Sequence, residues 1–247
     1  MGAVGNKNTG GSVKTGGESE YLKTRTYDEN DVEGVTTFTN NPSSTVKWFN
    51  NPKMSNMAEW EKGLTPDQES AVDYYTGSGY QSLNPALYEK PWDEMGSGTK
   101  ETASNLYEAI NKFELNKTIK TVRRCDFQIF GKSYGQSMTA EQVKDYLTNS
   151  TKDGLVQVNG FLSSTTNPSG TYAYTKGLHI DFEVPPNKGG GAYVSKVGGN
   201  GGESEYLFNS NAVLQFDPNS VESKGGVVHV KAKWVGQAKD QTFKNKK

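Results

Sequence analysis

The spacing of apolar positions changes twice along the chain, and each change predicts a different kind of element. Residues 1 to about 52 are rich in Gly, Asn, Thr and Ser and keep no sustained apolar period. This predicts a poorly structured arm, with Val46, Trp48 and Phe49 as its apolar handle. From about residue 53 helical spacing takes over. Thr65-Pro66-Asp67-Gln68 combines a capping hydroxyl, a proline at the first helical position and a capping-box glutamine. A helix is therefore expected to run to about Tyr75 and to stop at Gly77-Ser78-Gly79. Leu106, Ile110 and Phe113 share one helical face and predict a second helix over residues 100–115. Thr139 and Gln142 repeat the capping-box spacing ahead of Val143, Tyr146 and Leu147, a third helix.

After about residue 117 the period shortens to that of strands. Ile119 to Arg124, Leu155 to Ser164, Tyr172 to Val184, Ala192 to Val197, Ser204 to Phe208, Ala212 to Phe216 and Val227 to Val235 all read as strands between turn residues. In Leu178–Val184, apolar Leu178, Ile180, Phe182 and Val184 alternate with His179, Asp181 and Glu183, as in a half-buried antiparallel strand. Helices first and strands later predict an α+β domain and argue against a βαβ dinucleotide fold. The expected organisation is an arm over 1–52, one domain over 53–237 and a basic polar tail over 238–247.

Composition narrows the class. Only 32% of residues are hydrophobic while 11% are aromatic, so a core short of aliphatic side chains must be filled with rings. No run approaches the 18 or so apolar residues of a membrane span, and the start lacks the basic and apolar stretches of a secretory signal. Asn6 stands where a myristoylation motif needs Ser or Thr. The chain is expected to be cytoplasmic in its producer, or exported by a non-classical or phage-associated route. Net charge is −1, which draws it to neither membrane nor nucleic acid. A monomer is the expected state.

Most common site motifs are absent. Two His and one Cys cannot build an ordinary Cys/His zinc site, and no metal is expected. Gly131-Lys132-Ser133 ends like a phosphate loop, but Asp126 occupies the place of its first glycine. GxGxxG between strand and helix does not occur, and His179 and His229 read as sheet-surface residues. Gly-Gly-Glu-Ser-Glu-Tyr-Leu occurs twice, at Gly16–Leu22 and at Gly201–Leu207; the first copy, in the arm, reads as non-functional.

Three short segments make chemical sense together. In Thr121–Gly131, Arg123-Arg124 offers guanidinium forks suited to phosphate. Gly160–Thr165 is a strand ending in the hydroxyls Ser163, Ser164 and Thr165. In Gly201–Leu207, Glu203 and Glu205 would project from one strand face about 6–7 Å apart, close enough for one carboxylate to raise the pKa of the other. The order of arginine, then Ser-x-Thr, then a glycine-rich loop and Glu-x-Glu resembles the Arg-Ser-Glu class of mono-ADP-ribosyltransferases, especially the enzymatic components of binary actin-modifying toxins and related exoenzymes. Ala71–Tyr80 with Ser82–Leu87 is similar to that family's helix pair, although Tyr88 sits near its usual basic residue.

The resemblance, over roughly residues 53–237, implies N-terminal helices packed on a mostly antiparallel two-sheet core. It implies cleavage of the nicotinamide–ribose bond of NAD and transfer of ADP-ribose to an arginine of an acceptor protein, with actin a candidate. By this resemblance Arg123 is the phosphate clamp, on its spacing to Phe130-Gly131, with Arg124 the alternative. Ser163 orients the catalytic Glu205, which accepts from the ribose 2′-OH, and Glu203 grips the acceptor guanidinium. Tyr172 and Tyr174 fall in the stretch that folds over nicotinamide, where either stacks on the ring or is an ordinary sheet aromatic. The turn before Glu203 lacks the aromatic found in relatives. NAD hydrolysis, and a non-catalytic NAD-binding or virion-associated module, are the competing readings.

Overall fold

A computed structural model of the chain describes residues 34–171, 177–198 and 203–238. Among the described residues five α-helices come first: α1 (Pro42–Phe49), α2 (Met57–Lys62), α3 (Pro66–Tyr74), α4 (Tyr80–Glu89) and α5 (Ser97–Asn111). The expected α+β order follows, with β1 (Glu114–Leu115), β2 (Ile119–Cys125), α6 (Ala140–Asn149), β3 (Leu155–Val158) and β4 (Leu162–Thr165). The chain continues through β5 (Leu178–Val184), β6 (Asn187–Lys188), β7 (Gly191–Tyr193), β8 (Glu205–Phe208), β9 (Ala212–Phe216), β10 (Glu222–Lys224) and β11 (Val227–Gln237). Among the described residues no helix is long and apolar enough to cross a membrane.

Both capping boxes form. Thr65 N donates to Gln68 Oε1 while Gln68 N donates to Thr65 Oγ1, and Thr139 and Gln142 repeat the exchange ahead of α6. The stop expected at Gly77-Ser78-Gly79 does not occur. The chain instead widens into a π-helical segment, Tyr75–Gly79, and runs on into α4. A Cβ on Gly79 would lie 2.2 Å from the Tyr74 ring, so glycine here permits close packing of a widened turn rather than ending the helix.

The strands order as β3-β9-β11-β5-β2-β4-β8-β7, with β10 beside β11 and a separate β1–β6 pair. Among the described residues, all pairings between these strands are antiparallel except β5–β11. The two-sheet core is visible as two halves joined at one residue pair, Val122–Thr165 between β2 and β4. The single strand expected over Leu155–Ser164 is broken at residues 159–161, so β3 pairs in one half and β4 in the other. Ala192–Val197 is strand only to Tyr193 and then turns, which brings Ser195 under β8.

Residues 34–52, expected to belong to a poorly structured arm, are folded onto the domain. Phe49 is buried, stacks on Tyr193 at 4.3 Å between ring centroids, and packs with Phe38 and Trp48. The ring-rich composition is realised here and around Trp60, whose Nε1 donates to Ala109 O at 2.6 Å. The first GGESEYL copy and the basic tail from residue 239 lie outside the described residues.

Candidate active site

The junction between the two half-sheets gathers the predicted chemistry. On β2, period-two alternation gives Arg123 and Arg124 opposite faces. Arg123 shares its face with buried Thr121 and donates from Nη1 to Ser163 O at 2.6 Å. Its Nε is buried and has no hydrogen-bond partner. Arg124 sits opposite His179 in register, on the other side of the sheet from Ser163 and Glu205.

The three hydroxyls at the end of β4 each hold a different part of the Glu-x-Glu segment. The Ser163 hydroxyl hydrogen-bonds the Glu205 carboxyl. Ser164 Oγ donates to Tyr206 O at 2.9 Å, and Thr165 Oγ1 to Glu203 O at 2.7 Å. From the other side, Glu205 N donates to Ser195 Oγ at 2.5 Å. No sequence pattern pointed to Ser195, because its segment read as plain strand.

The two glutamates do not share a regular strand face as expected. Ser204 between them has a φ of 51°, a left-handed value uncommon for a residue with a side chain. β8 therefore begins at Glu205, which is 7% exposed, while Glu203 stands exposed before the strand. The expected upward pKa shift is present, with a different main cause. Burial raises the Glu205 carboxyl to about 7 and Glu203 adds to the rise, whereas the Ser163 hydrogen bond and Arg123 oppose it.

Behind Arg123, α4 and the π segment clamp the entry to β4. Asn84 Nδ2 donates to Phe161 O, Phe161 N donates to Asn84 Oδ1, and Tyr75 OH donates to the same Phe161 oxygen, all at 3.0 Å. The carbonyl and amide of the residue two before Ser163 are thus both fixed. A Cβ on Gly160 would lie 2.7 Å from Asn84 Oδ1 and 2.9 Å from the Tyr88 ring, so only glycine allows this approach. Tyr88, the departure from the family's basic residue, is half-buried with its phenol beside Arg123, and desolvation of that phenol pushes it up to about 12. Tyr172 and Tyr174 lie outside the described residues.

A guanidinium with an unpartnered buried N–H, a hydroxyl-bound carboxyl titrating near neutrality and a second, exposed carboxylate suit an anionic sugar-containing ligand. The sequence profile of the ADP-ribosyltransferase exoenzyme family matches residues 50–235. The chain belongs to that family. As an ADP-ribosyltransferase it uses NAD as substrate. No curated protein sequence matches it. Among solved structures it is similar to Plx2a, an ADP-ribosyltransferase toxin from Paenibacillus larvae, with 21% identity, TM-score 0.64, and coverage of 79% of this chain and 96% of that one. C3stau2 from S. aureus, solved with NAD, shows 15% identity, TM-score 0.64, and coverage of 83% and 100%. BECa, the ADP-ribosylating toxin of a C. perfringens binary enterotoxin solved with NADH, shows 22% identity and TM-score 0.62 over 77% of this chain. This chain spans only 48% of BECa.

Proposed function

We propose that this family member transfers ADP-ribose from NAD to an arginine side chain of a protein, with release of nicotinamide. The observation that carries the proposal is the buried Glu205, hydrogen-bonded by Ser163 next to Arg123, with an exposed carboxylate two residues ahead. Arg123 is the phosphate clamp. Its planar fork keeps donors for an anion after one has gone to Ser163 O, and it lies on the Glu205 side of the sheet whereas Arg124 does not.

Ser163 orients Glu205. The ionised Glu205 accepts from the ribose 2′-OH and stabilises the positive charge that develops at the anomeric carbon as nicotinamide departs, an electrostatic role like that of glycosidase carboxylates. Because its carboxyl titrates near 7, this role requires pH near or above neutrality. Glu203 receives the acceptor. A guanidinium, with a pKa above about 12, is a poor nucleophile until a carboxylate helps remove a proton. The exposure of Glu203 suits a group that meets a second macromolecule. NAD hydrolysis, with water as acceptor, is the second reading, supported by a glycine-rich approach to Glu203 that offers few side chains to a protein partner.

The two readings part in one experiment. Labelled NAD is incubated with a small guanidino acceptor and with a cell extract, using wild type and Glu203→Gln. Label on both acceptors, lost in the variant while NAD cleavage persists, is expected. Free ADP-ribose without acceptor labelling by the wild type would replace the transferase reading with the hydrolase.

A further inference from the structure

The face of the large sheet turned away from Glu205 carries a second cluster that ADP-ribosyl transfer does not use. β5 and β11 are its parallel neighbours, and their register sets His179 directly opposite His229. Parallel pairing puts the two imidazoles on one face, with ring centroids 4.7 Å apart and planes inclined by 31°. Asp181 follows two residues after His179, so the same alternation returns it to that face. Its Oδ1 lies 3.4 Å from His179 Nε2. All three residues are half-buried, and one donor atom from each lies within 4.8 Å of the others.

We propose that His179, Asp181 and His229 bind a divalent transition metal of the zinc class, bridging β5 and β11 on the outer face of the sheet. Three atoms within 4.8 Å of one another leave an ion among them at most about 2.8 Å from each, against about 2.0–2.1 Å in a formed site. Side-chain rotation closes that gap without moving the strands, because only imidazole and carboxylate torsions are involved. Two imidazoles and one carboxylate leave a fourth position for water, an open arrangement that zinc, cobalt and nickel accept.

The neighbours favour nitrogen-preferring metals over magnesium or calcium. Lys231 stands opposite Asp181 and Arg124 opposite His179, and these cations disfavour an ion that relies on carboxylates alone. Glu222, opposite His229 on β10, is ion-paired to Lys224 at 2.6 Å, and Glu183, next along the face of β5, to Lys233 at 2.9 Å. Within the fold the ion ties together the parallel strands β5 and β11 of the large sheet, next to the strand that carries Arg123.

The test uses the metal-free 247-residue chain without an affinity tag, titrated with zinc and with magnesium by calorimetry. Zinc is expected to bind one to one and to raise the unfolding temperature, and magnesium to do neither. His229→Gln and Asp181→Asn are each expected to weaken zinc at least about tenfold while NAD cleavage persists, which also shows that they fold. The cobalt(II) form of the wild type is expected to show visible bands with nitrogen ligation, a readout that does not depend on the variants. Absence of one-to-one zinc binding, or zinc affinity unchanged in a folded His229→Gln variant, would overturn the site.

Discussion

Replacing Glu205 by glutamine should stabilise the fold by an amount that depends on pH. The carboxyl is raised from 4.5 to about 7, chiefly by burial. Between those values the native state holds a proton that the unfolded chain has released, so wild-type stability falls as pH rises through this window. At about 1.4 kcal/mol per pKa unit, the full penalty above pH 7 is about 3 kcal/mol. Glutamine is neutral throughout and can still accept from Ser163. The two proteins should therefore unfold alike near pH 4.5, and the variant should be more stable by about 3 kcal/mol at pH 8. For a domain of this size that corresponds to roughly 6–12 °C in unfolding temperature. Guanidinium unfolding of both proteins at pH 4.5, 6 and 8 measures the difference directly. A gap that stays constant across the three pH values would refute the reasoning, as would a wild type more stable than the variant at pH 8. Either result would mean that the carboxylate is not held against its own desolvation.

Arg123→Lys should weaken NAD binding by at least tenfold, measured by calorimetry, because a point charge cannot serve Ser163 O and an anion as a fork does; Arg124→Lys should change it little. Asn84→Ala leaves the Phe161 amide without its partner, and should cost about 2 kcal/mol in denaturant unfolding and lower NAD cleavage through a misplaced Ser163. Phe49→Ala removes a buried ring stacked on Tyr193 and should destabilise the domain by about 3–5 kcal/mol. A neutral result there would return residues 34–52 to the status of a dispensable arm.

Where one local interaction decides, the sequence was readable. The Thr65 and Thr139 caps set their helices because each box closes within four residues. Alternation in Leu178–Val184 correctly separated core from outer face. Tertiary packing decided the rest. Gly77 and Gly79 read as a stop, yet the contact of Tyr74 with Gly79 turns them into a π segment that presents Tyr75 to Phe161. Phe49 looked like an isolated handle because its partners, Phe38 and Tyr193, are respectively close and 144 positions away in the chain. The site motifs were legible as a series of segments, while the geometry that differentiates the glutamates was not. Ser204 in a left-handed conformation has no compositional signal, since glycine or asparagine would be the usual indicator. Ser195 became visible only once the chain turned beneath β8.

The central claim is that Glu205, held by Ser163 and flanked by Arg123, drives cleavage of the nicotinamide–ribose bond. Nicotinamide release from NAD by wild type and by Glu205→Gln, followed from pH 5.5 to 9, tests it most directly. The account predicts wild-type kcat/KM rising through pH 7 to a plateau, and loss of turnover in a folded variant at every pH. Turnover retained by Glu205→Gln would contradict it.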